Sequence, residues 1–173
     1  MKKLSLILFS TILSLILITP LISFEKAKLI TGKARVTDGD TIKINKKKIR
    51  LFGIDAPEKN QFCKKIYLSF LIFNFKKDYK CGENSTNALK KKLKDKKITC
   101  HIQTGKDIYK RFIGICFLQN QDINSWLVRN GYAIAYRRYS QKYVFDEVYA
   151  KENKLGIWQG SFVEPEKWRR IIK

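Results

Sequence analysis

Val36-Thr37-Asp38-Gly39-Asp40-Thr41, followed after a short basic run by Arg50-Leu51-Phe52-Gly53-Ile54-Asp55-Ala56-Pro57-Glu58, decides how this chain is read. The whole chain holds 36 Lys+Arg against 15 Asp+Glu, yet four of its acids fall within this stretch. Two short strands, Thr41–Asn45 and Lys48–Ile54, are expected here, joined by the polar turn Asn45-Lys46-Lys47. In such a hairpin Asp40 opens one strand and Asp55 closes the next, so the two carboxylates meet at its open end. Hard carboxylate oxygens in convergence suit a hard cation such as Ca²⁺, with the backbone carbonyl of Ala56 and water completing an oxygen shell. Glu58 is then free to act as a base, and Arg50 to hold a phosphate. Five residues separate Arg50 from Asp55, an odd number that puts them on opposite faces of a regular strand. A shared site therefore requires the strand to bend, which Gly53 and Pro57 permit.

Working outward, 173 residues with 45% apolar content make one domain with an ordinary core. The formal charge of +21 favours polyanionic partners: nucleic acid, an anionic membrane surface or another acidic polymer. At the N-terminus Lys2 and Lys3 precede an uncharged apolar run, Leu4–Phe24, read as a secretory signal peptide or a retained signal anchor over residues 1–23. The domain proper is residues 28–173, and it is exported: periplasmic, secreted or membrane-anchored. Four cysteines in an exported domain imply two disulfides. Cys100 and Cys116 lie equidistant from residue 108 on two β-rich runs, Ile98–Thr104 and Phe112–Leu118, so an antiparallel hairpin brings them face to face. Cys63 and Cys81 then close the loop between them. No Cys-x-x-Cys spacing supports a zinc site.

A further strand is expected over Ile30–Thr37, and helices over Glu83–Lys96, Ser125–Asn130 and Tyr143–Lys154. Asn84 or Ser85 would cap the first helix, and Gly131 and Gly156 would stop the other two. Five strands and three helices without βαβ alternation give an α+β antiparallel barrel. The very apolar Ile66–Phe75 is expected as a packed flap or short helix, with membrane contact as the alternative.

Asp-Gly-Asp-Thr, the Arg50-Leu-Phe-Gly-Ile-Asp-Ala-Pro-Glu element, Asp107-Ile108-Tyr109-Lys110-Arg111 and the Gly-Ile-Trp at 156–158 resemble the staphylococcal (micrococcal) nuclease family, thermonuclease-like, from about Ala34 to Arg169. The resemblance implies a five-stranded OB-fold barrel with three helices and a Ca²⁺-dependent phosphodiesterase acting on DNA and RNA. It implies Asp40, Asp55 and the Ala56 carbonyl as metal ligands, Arg50 and Arg111 as phosphate-binding catalytic residues, and Glu58 as general base. Tyr109 and Tyr136 would contact the nucleotide. The family usually has glycine before the second arginine, where this chain has Lys110. The apolar insertion between Cys63 and Cys81 is also unusual beside the site.

Basic residues near Tyr136, Arg137 and Arg138 above all, are candidates for contacts to the nucleic-acid backbone, with single strands preferred and the protein a monomer. A single histidine, His101, excludes chemistry that needs a histidine pair. Two other readings compete with the enzyme. An OB-fold can bind single-stranded nucleic acid without turnover, and a tethered protein could use its apolar loop as an adhesive surface.

Overall fold

The computed structural model describes residues 28–172; the expected signal or anchor segment, residues 1–23, lies outside them. Twelve strands and four α-helices are found among the described residues. The main sheet runs in the order β1 (Lys28–Lys33), β8 (Lys97–Lys106), β9 (Phe112–Leu118), β4 (Lys47–Leu51), β3 (Thr41–Ile44), β2 (Arg35–Asp38). β1 and β2, at the two ends of this order, are halves of one segment interrupted only at Ala34. One pair departs from the expected antiparallel arrangement: β4 and β9 run parallel, with Arg50 opposite Ile113.

Alternation explains why these segments form a sheet. Ile42, Ile44, Ile49 and Leu51 point inward and are fully or almost fully buried. Onto them packs α1 (Cys81–Leu93) through Ser85, Leu89 and Leu93, a stripe at i, i+4 spacing. This helix starts earlier than expected, and neither Asn84 nor Ser85 caps it: Ser85 Oγ instead donates to the Tyr132 carbonyl at 2.7 Å. The β3–β4 turn is two residues long, Asn45-Lys46, both at positive φ, the geometry that matches the twist of a tight hairpin.

The cysteines pair as the spacing requires. Cys100 lies opposite Cys116 in the β8–β9 register, with Cα atoms 4.0 Å apart, and Cys63 is bonded to Cys81. Between the latter two the chain departs from expectation. Ile66–Phe75 is neither a packed flap nor a helix; it lies in a β-hairpin, β6 (Cys63–Phe70) with β7 (Phe73–Tyr79). Its period is 2: Leu68 faces Phe75 and Phe70 faces Phe73, while Ser69 and Asn74 pair in between, with the Ser69 hydroxyl 2.7 Å from Asn74 Oδ1. A continuous apolar run fits either helix or strand, and here the cross-strand pairs decide.

Two short pieces extend the fold beyond the end of β4. β5 (Ile54–Asp55) pairs with β11 (Ile134–Ala135), and Gly53, at φ +71°, makes the turn between β4 and β5. α2 (Ile123–Arg129) is capped by Asp122, whose Oδ1 accepts from the N–H groups of Asn124 and Ser125. α3 (Val144–Glu152) follows, and then a fourth helix absent from the expected set, α4 (Pro165–Ile171). Its signal was present in Pro165-Glu166 followed by Arg169-Arg170: proline opens helices, acids favour the first turn and arginines the last.

Asn124, in the first turn of α2, ties this helix to the sheet. Fully buried, it donates to the Phe52 and Gly114 carbonyls at 2.9 and 3.2 Å and accepts from the Cys116 N–H at 3.2 Å. It thereby ties the β4–β5 turn to β9. Asn124→Ala leaves two buried backbone groups, Phe52 C=O and Cys116 N–H, without this partner. The expected cost is about 2–4 kcal/mol, and thermal denaturation should show a Tm lowered by roughly 4–16 °C.

Candidate active site

A cavity of about 710 Å³ opens beside the β4–β5 turn, and its lining holds Asp40, Arg50, Glu58, Arg111, Tyr109 and Tyr136 together. Each arrives by a different local device. Asp40 closes the Asp38-Gly39 turn before β3, and Arg50 sits one pair in, opposite Thr41. The bend at Gly53 then swings Asp55 back onto Arg50, as the odd spacing required.

The centre is an ion-pair cluster. Arg50 Nη1 donates to Asp40 Oδ1 and Nη2 to Asp55 Oδ1, both at 2.8 Å. One planar guanidinium thus spans two carboxylates, Asp40 at 5% exposure and Asp55 at 0%. Asp40 also accepts from the Thr41 hydroxyl at 3.0 Å and the Ala56 N–H at 3.2 Å. Burial pushes the Asp55 carboxyl above its ordinary pKa, with the nearby Asp40 adding to this and the arginines opposing it. Burial works against the charge of Arg50, but Asp40 and Asp55 more than offset it, and its pKa lies above the usual value. Asp38, half-buried beside Asp40, is pushed up to about 6 by burial first and by the Asp40 charge second.

Across the cavity, Arg111 is held by Asp107. Its Nε donates to Asp107 Oδ2 at 2.7 Å, its backbone N–H to Asp107 Oδ1 at 2.9 Å, and its Nη1 to Thr41 Oγ1 at 3.2 Å. Burial tends to raise the pKa of Asp107, but these bonds outweigh it and the carboxyl lies below its ordinary range. Lys110 sits in the turn at φ +60°, which explains why glycine would suit that position; the lysine accepts a left-handed conformation there. Tyr109 stands exposed at the rim with its ring 5.2 Å from the Arg111 guanidinium. Tyr136 packs edge-on against Tyr139 and donates its hydroxyl to Glu166 at 3.1 Å.

Arg169 is the functional residue that sequence reasoning missed. From α4 it forks onto Asp55, Nη1 to Oδ1 and Nη2 to Oδ2 at 3.0 Å each, and reaches Glu58 Oε1 from Nη1 at 2.8 Å. More than 110 positions separate it from either acid, so no local spacing could have signalled the contact. Lys48, Lys106 and Tyr139 also line the cavity. Arg137 and Arg138 are not brought there. Arg137 pairs with Glu147, a buried acid that also accepts from the Ala135 N–H, and Arg138 pairs with Glu166.

Among the described residues no group of three or more acidic, histidine or cysteine side chains gathers at metal-ligand spacing. The donor chemistry nevertheless fits a hard cation: carboxylate oxygens of Asp40 and Asp55 converge on one positive group, and the third acid, Glu58, is drawn aside by Arg169.

The family model described as "Staphylococcal nuclease homologue" matches residues 48–160. The chain belongs to the staphylococcal nuclease family. Among curated relatives, an uncharacterized endonuclease of Haemophilus influenzae is 31% identical over 92% of this chain and 83% of its own length. An uncharacterized endonuclease of Escherichia coli O157:H7 is 32% identical over 78% and 81%. The succinoglycan biosynthesis protein ExoI of Rhizobium meliloti is 37% identical over 77% of this chain and 66% of its own length. The protein is therefore a nuclease, a hydrolase of phosphodiester bonds, and the cluster just described lies within the matched family region or close to it.

In this nuclease Arg169 holds a fully buried carboxylate from a position a third exposed. Arg169→Met should destabilise the protein by about 1–3 kcal/mol, because Asp55 keeps its burial and loses a bidentate partner. Urea denaturation in the presence of a chelator measures this; an unchanged midpoint would show the contact to be dispensable.

Proposed function

We propose that the nuclease is an exported, calcium-dependent phosphodiesterase acting on DNA and RNA, with single strands preferred. The observation that carries this reading is the bridge of Arg50 between Asp40 and Asp55 on the floor of a cavity whose walls bear Glu58 and Arg111. Asp40, Asp55 and the Ala56 carbonyl would hold the calcium ion. When bound, calcium supplies positive charge against the phosphodiester and the charge that builds up on it during attack.

The chain's own residues do the rest. Arg111 is fixed through Nε and Nη1, and its remaining N–H groups are available to a phosphate oxygen. Arg50 supplies the second guanidinium at the floor. Donors fixed in advance stabilise the extra charge of a five-coordinate phosphorus without reorganising at the moment of reaction. Glu58 accepts the proton of the attacking water, and Arg169 sets where its carboxylate lies. Tyr109 and Tyr136 offer ring faces to unstacked bases, which favours single strands over a closed duplex.

Two further features support this reading. The segment Lys28–Asp38 pairs with β8 through its first half and with β3 through its second, as the closure of a five-stranded OB barrel requires. Two disulfides suit an oxidising compartment, consistent with the apolar N-terminal run serving as signal peptide or anchor.

The test is hydrolysis of single-stranded DNA and of RNA with added Ca²⁺, with excess chelator, and with Glu58→Gln. Turnover should vanish with chelator and fall by about 10²–10⁴ in the variant. A rate indifferent to chelator removes calcium from the reading, and a variant near the full rate removes Glu58 as base.

The basic residues make a separate prediction. Lys48→Gln with Lys106→Gln should weaken binding across all sequences and lower the slope of log K against log salt by roughly 1–2. Arg137→Gln should leave that slope nearly unchanged and lower stability instead, because it removes one of the two cations, Arg137 and Lys151, that face buried Glu147. Filter binding of a short oligonucleotide across a salt series distinguishes the two.

A further inference from the structure

The β6–β7 hairpin carries its apolar side chains outward. Leu68, Phe70, Phe73 and Phe75 form one face, each about half exposed or more, and Leu71 and Ile72 form the tip at 86% and 87%. Isolated exposed apolar residues are ordinary; a contiguous face continued over a projecting tip marks a contact surface. The tip also defies turn chemistry. Leu71 has φ +50°, a conformation that hairpin turns normally give to Asn, Asp or Gly. A polar turn would be less strained and better solvated, yet Leu-Ile stands there.

Below the tip lies a basic belt. Lys65 is opposite Lys77 and Ile66 is opposite Lys76, with Lys64 and Lys80 nearer the disulfide. Five lysines against Asp78 leave the segment 63–80 at 5 − 1 = +4. At about 3.3 Å per residue, the apolar part from Leu68 to the tip reaches roughly 10–13 Å past residue 68, close to the depth to which interfacial elements enter the headgroup and acyl boundary. Lysine stems are long enough to keep their ammonium groups at headgroup level while the strand passes deeper.

We propose that this hairpin inserts its tip into an anionic lipid bilayer, with the lysine belt resting on lipid phosphates. The order of chemistry along the hairpin, basic below and apolar beyond, is the order met on entering such a membrane. A nucleic acid would suit the belt but not Leu71-Ile72. A second copy of the chain would bring another charge of +21 against the belt. The proposal is independent of the reaction assigned above. It does bear on where that reaction takes place, since β6 begins only five residues after Glu58.

The experiment places a reporter at the tip of the full chain. Ile72→Trp is compared with Phe145→Trp, an equally exposed position on α3, and the emission of the native tryptophans is subtracted using the unsubstituted chain. Both are mixed with phosphatidylglycerol vesicles carrying brominated acyl chains. Because the N-terminal segment can itself hold the protein on vesicles, the difference between the two reporters decides, not binding. Neither position belongs to the catalytic site, so retained nuclease turnover certifies the fold. Quenching of Ile72→Trp roughly twofold or more above that of Phe145→Trp is expected, and it should fall when Lys65, Lys76 and Lys77 are changed to Gln. Equal quenching of the two reporters overturns insertion. Undiminished quenching on neutral phosphatidylcholine overturns the anionic requirement. A blue shift of Ile72→Trp that grows with protein concentration without vesicles assigns the tip to a second copy, which also overturns the proposal.

Discussion

Everything at the functional end of this molecule is arranged around one guanidinium between two buried carboxylates. Asp40 and Asp55 would repel each other strongly at low exposure, and Arg50 offsets that repulsion at 2.8 Å from each. Such a cluster is a poor way to stabilise a fold. Desolvating three charges costs several kcal/mol per ion, and an apolar replacement of similar volume is often as stable. A chain with only 15 acids that buries two of them side by side is therefore using them for something other than stability. A cavity lined by Asp40 and Glu58 as well as by Lys48, Arg50, Lys106 and Arg111, with Asp55 buried behind Arg50, is chemically distinct from a merely basic groove.

The backbone around the cluster is built to hold it. Gly53 makes the turn that lets residues five apart face one another. Backbone bonds then fix that turn: Phe52 N–H donates to the Gly114 carbonyl at 2.8 Å, and Tyr136 N–H donates to the Gly53 carbonyl at 2.9 Å. Asn124 adds a buried side-chain tie to the same place. The parallel β4–β9 pair completes the frame by setting Arg50 beside Ile113, two residues beyond Arg111. A short turn anchored from three sides can carry groups within tenths of an ångström, as charge stabilisation requires.

Legibility in the sequence followed the range of the interaction. The strands flanking Asn45-Lys46, the Cys100–Cys116 pairing and the bend at Gly53 depend on spacing and local turn chemistry, and all were readable. The start of α1 was not, because the disulfide at Cys81 and packing against the sheet set it rather than a capping side chain. The hairpin at 66–75 differs from the expected packed flap or short helix because a dense apolar run fits several elements, although Ser69 and Asn74 mark its period of 2. Arg169 and Arg137 failed for opposite reasons. Arg169 reaches the site only through the tertiary placement of α4, and Arg137 sits next to a site tyrosine in sequence but turns toward buried Glu147.

Gln61 shows how these separate parts become one. Fully buried, it accepts the Glu58 N–H through Oε1 at 3.1 Å, donates Nε2 to the Val163 carbonyl at 2.6 Å, and takes the Gly82 N–H on its own carbonyl at 3.3 Å. One side chain and its backbone thus join the Glu58 loop, the segment leading into α4 and the start of α1. Arg169 closes the same circuit from the far side by holding Glu58 and Asp55. Gly82, next to Cys81, also packs directly against the Glu58 carbonyl, so the disulfide-bound base of the hairpin and the C-terminal helix both bear on the Glu58 loop. The position of Glu58 is set by tertiary contacts that no motif records, whereas Asp40, Arg50 and Asp55 lie on one hairpin and the turn that follows it. This division explains why the motif was informative about the floor of the site and silent about its far wall.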